Sequence, residues 1–339
     1  MEGRDVATID IPGAFMQADM EDVVHMKLEG KMAELLVRID SKLYRKHVQM
    51  QGGKQVLYVE LKKALYGTLK AALLFWKKFT TKLKQWGFEV NPYDWCVMNK
   101  TIGGTQCTIL WHVDDLKSSH VDPKVNDDFH KWLQEEYGQI KEITATRGKK
   151  HVYLGMTLDY SVPGEVKVNM TDYVKEMLDE FSDELTGKVA SSANEQLFDS
   201  TRGSKLSDLK AEAFHQMVAK ALFLTMRARP DIRLAVAYLC TRVKEPTTYD
   251  WFKLVRMMNF LKKTRYDSLT IRLDGSHQVV WSIDAAFAVH PDKKSHTGMT
   301  MKMGKGAITS LSTRKQKLNT RSSTEAELVA VNDCTAQIL

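Results

Sequence analysis

"LWHVDDLKSS", residues 110–119, decides how this chain is read. The apolar run Thr108, Ile109, Leu110, Trp111, His112, Val113 has the character of a strand. It ends in two like charges, Asp114 and Asp115, and the chain then turns polar. Aspartate is common where a chain turns, because it tolerates turn geometry, so an isolated Asp-Asp needs no function. A second acidic strand end changes its weight. "DVATIDI" (5–11) reads as a short strand stopped at Pro12-Gly13, and it carries Asp10.

The elements between these two stretches set their relation. Leu65, Leu69, Ala72, Trp76, Phe79, Leu83 and Trp86 recur at helical spacing, which predicts a helix over 62–86 ended by Gly87. Its other face carries Lys70, Lys77, Lys78, Lys82 and Lys84; such a face is either solvated or in contact with phosphates. A strand near 93–99, a Gly103-Gly104 turn and the strand of the aspartate pair follow. "DPKVNDDFHKWLQEEYG" reads as a helix capped by Asp122-Pro123, and "HVYLGMTLDY" (151–160) as one more strand. The order strand, helix, strand, strand, helix, strand is the split ferredoxin-like arrangement, an antiparallel sheet backed by two helices. The end of the first strand then meets the tip at "VDD", which gathers Asp10, Asp114 and Asp115. Three carboxylates so close repel unless a cation joins them, and hard oxygen ligands select Mg²⁺ or Mn²⁺. Two such ions clamp the attacking and leaving oxygens of an in-line phosphoryl transfer.

Residues 171–265 read as mostly helical. "MTDYVKEMLDEF" carries a Thr171 cap, "SSANEQLFDSTRGSKLSD" is a loop, and "AFHQMVAKALFLTMRA" and "DWFKLVRMMNFLKKT" are amphipathic helices. From 278 the pattern changes. "QVVWSIDAAFAVH", "TGMTMKMG" and "GAITSLSTRK" read as three antiparallel strands, and "SSTEAELVAVNDC" as a capped helix, which suggests a separate domain. "HPDKKSH" offers His290, Asp292 and His296 as metal ligands, but its spacing suits a polar strand connection better.

Bulk properties narrow the class. The 339 residues are 43% hydrophobic and 27% charged, enough for ordinary globular cores and two or three domains. No apolar run approaches the roughly 20 residues that cross a bilayer, and the first residues lack a signal-peptide pattern. Cys96, Cys107, Cys240 and Cys334 form no CxxC pair and read as reduced thiols of a cytosolic or nuclear chain. The formal charge of +7 favours a polyanionic partner, most commonly nucleic acid.

Several motifs resemble, in order, the reverse transcriptase and ribonuclease H region of copia-type LTR retrotransposon polyproteins. "DIPGAFMQADM" (10–20) is similar to that family's D-V-K-T-A-F-L-N-G-D-L, and "LKKALYGTLKAALLFW" (61–76) to its L-x-K-A-L-Y-G-L-K-Q-A followed by tryptophan. "HVDD" stands where the family has an aromatic residue and V-D-D; "YLGM" (153–156) resembles its primer-gripping segment. "RARPDIRLAVAYLCTRV" resembles the T-R-P-D-I connection, and "KLNTRSSTEAELVAV" the S-S-T-E-A-E segment of ribonuclease H. The resemblance covers essentially the whole chain.

It implies an α+β fold: a reverse-transcriptase palm with the start of a thumb over 1–185, a helical connection over 186–275 and a ribonuclease H-like domain over 276–339. It implies that Asp10, Asp114 and Asp115 are the polymerase metal carboxylates, with Asp10 and Asp114 bridging and Asp115 supporting. Phe15 takes the position that blocks a ribose 2′-hydroxyl, Tyr66 and Gly67 lie under the template and incoming base, and Leu154 and Gly155 approach the primer. In the last domain Asp284 and Glu327, rather than Glu325, hold Mg²⁺ or Mn²⁺ for cleavage of the RNA strand of a hybrid. The implied partners are an RNA template, a DNA primer, an RNA–DNA hybrid, deoxynucleoside triphosphates and the rest of the polyprotein, with no membrane. The implied location is a cytoplasmic virus-like particle, or the nucleus. His112 departs from the family's aromatic. Against the family's pattern, the upstream fingers and the D-N motif of ribonuclease H are missing, and Asp333, on the same helix as Glu327, is a poor substitute. The expectation is that the isolated chain extends a primer and cleaves the hybrid's RNA strand feebly or not at all. The other function class that fits is a non-catalytic nucleic-acid-binding remnant of such an enzyme.

Overall fold

The computed structural model describes residues 2–276, 278–309 and 313–338. They form two compact units, Arg4–Gly148 and a second that runs from Lys149 onward and includes Glu2 and Gly3.

The first unit runs β1 (Asp5–Asp10), a 3₁₀ turn (Ala14–Gln17), β2 (His25–Glu29), α1 (Lys31–Ile39), α2 (Ser41–Tyr44), β3 (Gln49–Gln51), β4 (Lys54–Glu60) and α3 (Ala71–Gln85). Then come β5 (Glu89–Val90), β6 (Val97–Ile102), β7 (Thr105–His112), β8 (Asp115–His120), α4 (Pro123–Tyr137) and β9 (Thr144–Thr146). The main sheet has the order β5-β6-β7-β8-β1-β9 and every pairing is antiparallel. β2, β4 and β3 form a separate small sheet. Within the main sheet β7-β8-β1-β9, with α3 and α4 between them in sequence, follow the split order.

One face of this sheet is closed by the two helices. Ile9, Ile109, Trp111 and Leu116 join Leu74, Phe75, Phe79 and Leu83 of α3 and Phe129, Leu133 and Tyr137 of α4 in a single core. Asp122 starts α4 by accepting from Lys124 N, with Pro123 at the first helical position, where its missing N–H costs nothing.

Three expectations need correction here. The helix begins at Ala71, not at 62. Gly67 has φ 94°, and the stretch before it is tied instead to the loop after β1, through Ala64 N to Ala18 O and Met20 N to Lys62 O. Leu69 is fully exposed, so the apolar repeat ran past the helix. Second, the polar stretch after the aspartates is a strand. β8 buries Leu116, Ser118 and His120; two of its three inward side chains are polar, and Ser118 Oγ finds Asn126 Oδ1 at 2.8 Å. A hydrogen-bonded serine is cheap to bury but invisible to an apolar pattern. Third, the fourth strand of the split order is β9, and "HVYLGMTLDY" lies in the other unit, where it forms two strands.

The second unit contains β10 (Lys150–Tyr153), β11 (Met156–Asp159), β12 (Glu165–Asn169), α5 (Thr171–Glu180), α6 (Asp208–Thr225), α7 (Arg233–Cys240), α8 (Thr248–Lys263) and β13 (Leu269–Arg272). β10, β11, β12 and β13 make one antiparallel sheet in that order. Met170, not Thr171, precedes α5 at the cap position, without a side-chain cap. α8 opens on a capping box between Thr247 and Asp250. β14 (Val280–Ala286), β15 (His296–Lys302), β16 (Ala307–Thr309) and β17 (Thr313–Lys315) then build a second sheet, in which β16 and β17 both pair with β15. Residues 310–312 of the expected third strand lie outside the described residues. α9 (Ser323–Ile338) packs on β14 and β15.

Candidate active site

β1 and β8 pair so that Asp10 stands opposite Asp115, and Ile11 N donates to the Asp114 carbonyl at 3.1 Å. β7 and β8 are joined by a two-residue turn, Val113–Asp114, closed by the pairing of His112 with Asp115. Val113 has φ 61° and Asp114 does not share the positive sign, the pattern of a type II′ turn, which ordinarily takes glycine there. A β-branched residue in that region is strained; Val113 is held by packing against the core. The acidic tip is therefore built by the β1–β8 register and a strained turn.

The electrostatics follow from the crowding. The Asp115 carboxyl is raised above its usual range, first by burial and then by the charges of Asp114 and Asp10. Tyr66 donates its hydroxyl to Asp114 Oδ2 at 2.9 Å, and its phenol is pushed up to about 12 by burial, by that bond and by the charges of Asp114 and Asp10. The Tyr66 ring lies 4.3 Å from that of Phe15, which is buried in the 3₁₀ turn. Gly67 adopts its positive φ in open space, with no heavy atom within 4 Å of where a side chain would begin, so conformation, not room, calls for glycine.

Asp10, Asp114, Asp115, Tyr66 and Phe15 thus come together. Among the described residues no three His, Cys, Asp or Glu side chains gather closely enough to hold one metal ion. The donor set nevertheless suits a hard divalent cation: the oxygens are carboxylate, their backbones converge, and the mutual repulsion felt by Asp115 is what such a cation relieves. One oxygen of Asp114 is engaged by Tyr66.

A pH experiment checks this electrostatic picture. With a raised folded-state pKa, Asp115 binds more protons in the folded than in the unfolded chain just above its ordinary value of 3.8. Stability therefore falls as pH rises through that window. Asp115→Asn escapes the penalty. Its melting temperature should exceed that of the parent at pH 7, and the difference should vanish below pH ~4, where both side chains are neutral. Mg²⁺ should raise the parent's melting temperature more than the variant's. Equal melting at pH 7, or a gap that widens in acid, would contradict the picture.

The other expected residues lie in the second unit. Leu154 and Gly155 form the turn between β10 and β11. Asp284 sits exposed on β14, opposite Gly298 of β15. Glu327 reaches the same strand, its Oε1 accepting from Ala285 N at 3.2 Å. Glu325 turns to the start of α9 and accepts from Arg321 N at 2.6 Å. A cleft of about 330 Å³ beside Asp284 is lined by Arg233 and Leu234 of α7 as well as by β14 and β15. Asp333 is paired with Arg314. His290 Nε2 and His296 Nδ1 share a hydrogen bond of 3.0 Å, while Asp292 pairs with Lys315 at 2.7 Å; "HPDKKSH" does not bring its three candidates to one point.

The lysine face of α3 is less free than its sequence suggests. Lys70 pairs with Asp22 (2.6 Å), Lys77 with Glu21 (3.2 Å) and Lys82 with Glu136 (2.9 Å). Lys78 donates to the Gln17 carbonyl at 2.6 Å.

An antiparallel α+β sheet with acidic residues at a hairpin tip is the class of arrangement the sequence resemblance implies, that of a nucleotidyl-transferring polymerase. Residues 1–193 match the family described as reverse transcriptase (RNA-dependent DNA polymerase), and the chain belongs to that family. It is 25% identical over 283 residues to the putative transposon Ty5-1 protein of Saccharomyces cerevisiae, covering 82% of this chain and 89% of that one. It is 28% identical over 185 residues to an uncharacterized mitochondrial protein of Arabidopsis thaliana, covering 54% of this chain and 75% of that one. To the retrovirus-related Pol polyprotein from transposon TNT 1-94 of Nicotiana tabacum it is 23% identical over 346 residues, covering 97% of this chain but 24% of the polyprotein. The transposon relatives bear out the resemblance to a copia-type retrotransposon reverse transcriptase region.

Proposed function

We propose that the chain is an RNA-directed DNA polymerase of a copia-type retrotransposon with an attached ribonuclease H, acting in the cytoplasm or nucleus. Over 1–185 it is the palm and start of the thumb, over 186–275 the connection, and over 276–339 the ribonuclease H-like domain. The observation that carries this reading is the pairing of Asp10 with Asp115 beside Asp114 in a chain of the reverse transcriptase family. Asp10 and Asp114, supported by Asp115, would hold Mg²⁺ or Mn²⁺. When bound, such ions supply charge stabilisation to the attacking and leaving oxygens of phosphoryl transfer. Phe15, braced by Tyr66, narrows the space at the sugar of an incoming deoxynucleotide. Tyr66 holds the Asp114 carboxylate in place, and its high pKa keeps it a hydrogen-bond donor at any working pH. Asp284 and Glu327 take the corresponding role in the hybrid-cleaving domain, supported by the bond from Ala285 N that turns Glu327 to the Asp284 strand.

Single-nucleotide incorporation into a DNA primer on an RNA template, with protein in excess and Mg²⁺ present, tests the reading. Incorporation that needs the template and the ion supports it; none at any protein concentration sinks it. A second reading, a nucleic-acid-binding chain without turnover, is favoured by the engagement of Asp114 by Tyr66 and by the carboxylates not gathering as a ready ligand set. It predicts binding to an RNA–DNA hybrid that weakens steeply with salt, without incorporation. Because Lys70, Lys77, Lys78 and Lys82 are engaged within the chain, exchanging Lys77 for Ala should leave that salt slope unchanged.

A further inference from the structure

β10 and β11 are joined by the two-residue turn Leu154–Gly155, with Tyr153 paired to Met156. Both turn residues have positive φ, 51° at Leu154 and 78° at Gly155, as a type I′ turn requires. Glycine adopts this freely. A leucine does so only when its surroundings hold it there.

The brace is Arg227, just beyond the end of α6. Its Nε donates to the Leu154 carbonyl at 3.3 Å and its Nη1 to the Phe223 carbonyl at 3.2 Å. The guanidinium lies 3.6 Å from the centre of the Phe223 ring. The edge of that ring stands 3.5 Å from where a side chain on Gly155 would begin, and the ring packs on Tyr173 at 5.2 Å. One planar cation thus ties the turn to α6, while the aromatic pair supports the turn from beneath. Val152, next along the hairpin, is 72% exposed, and Gly155 is exposed too. The hairpin's outer edge is bare and its shape is set from behind.

We propose that Arg227 is a positioning residue: by holding the Leu154–Gly155 turn in its left-handed form, it presents the exposed edge of β10–β11 to the sugar-phosphate backbone at the primer end. This rests on the polymerase reading above. Lysine is a poor replacement, since it offers a donor but no planar face for Phe223.

The test is a split of kinetic constants on the full chain, with a labelled DNA primer annealed to an RNA template. Arg227→Ala should raise KM for primer–template by about tenfold, the scale of one charged hydrogen bond, while kcat stays within about twofold, because nothing made only in the transition state is removed. Arg227→Lys should fall between. Adding Leu154→Gly to Arg227→Ala should recover most of the loss, because glycine keeps the turn without a brace. Amide hydrogen exchange over 150–159 should be faster in Arg227→Ala and slow again in the double variant. Should Arg227→Ala lose its circular dichroism signature, Arg227→Lys decides by the same split. An unchanged KM, a fall confined to kcat, or no recovery with Leu154→Gly overturns the inference alone. A parent chain that neither binds nor extends primer–template overturns the polymerase reading, and the inference with it.

Discussion

Asp114→Asn is expected to lower Mg²⁺-dependent nucleotide incorporation at least a hundredfold, the scale on which loss of one charge-stabilising group in a preorganised site is felt. The fold should survive. Asp114 occupies a turn position that asparagine tolerates as well, and its backbone carbonyl, which receives Ile11 N, is untouched. Asparagine also keeps an oxygen for the Tyr66 hydroxyl. What is lost is a negative charge among three, so the variant should be no less stable than the parent without metal while its response to Mg²⁺ weakens. Melting curves with and without Mg²⁺ read the second effect independently of turnover. Incorporation at parental rates in a folded Asp114→Asn chain would mean that the acidic tip is only a turn.

How much of this was legible beforehand depends on which kind of information a residue carries. The meeting of Asp10 with the pair was readable because it rests on topology: a strand end, two helices and a hairpin leave few ways to arrange the sheet. The identity of the partner strand was not readable. β8 buries Ser118 and His120, and periodicity counts apolar side chains, not hydrogen-bonded polar ones. The start of α3 was missed for the converse reason, since Leu65 and Leu69 continue the apolar repeat through a stretch that Gly67 bends. Ion pairs were beyond reach altogether. The partners of Lys70, Lys77 and Lys82 come from residues 21, 22 and 136, segments that only the fold brings to α3. The bond from Tyr66 to Asp114 spans 48 residues and had no local signal either. The resemblance placed Tyr66 under the template and incoming base, which carries no hint of this bond.

Phe79→Ala tests whether the core or the acidic tip governs the first unit. Phe79 is fully buried in α3, and its ring meets Phe75 at 5.7 Å, Trp111 at 5.1 Å, Tyr137 at 5.9 Å and Trp132 at 6.5 Å. These rings come from α3, β7 and α4, so one side chain ties both helices to the strand that leads into Val113–Asp114. Truncating a buried phenylalanine costs about 3–5 kcal/mol, because apolar contact is lost and a cavity remains. Edge-on aromatic contacts add to the loss, and four large rings around the gap resist collapse into it, which favours the upper end. For a unit of about 150 residues this corresponds to a fall in melting temperature on the order of 10 °C. Calorimetry should show that loss in the transition of the first unit. Asp115→Asn shifts stability the other way at pH 7, through charge alone, and the two sites share no partner, so their effects should add. The double variant should therefore melt between Phe79→Ala and the parent. Melting of the double variant below Phe79→Ala would mean that the core change reaches the turn and alters the crowding of the three aspartates.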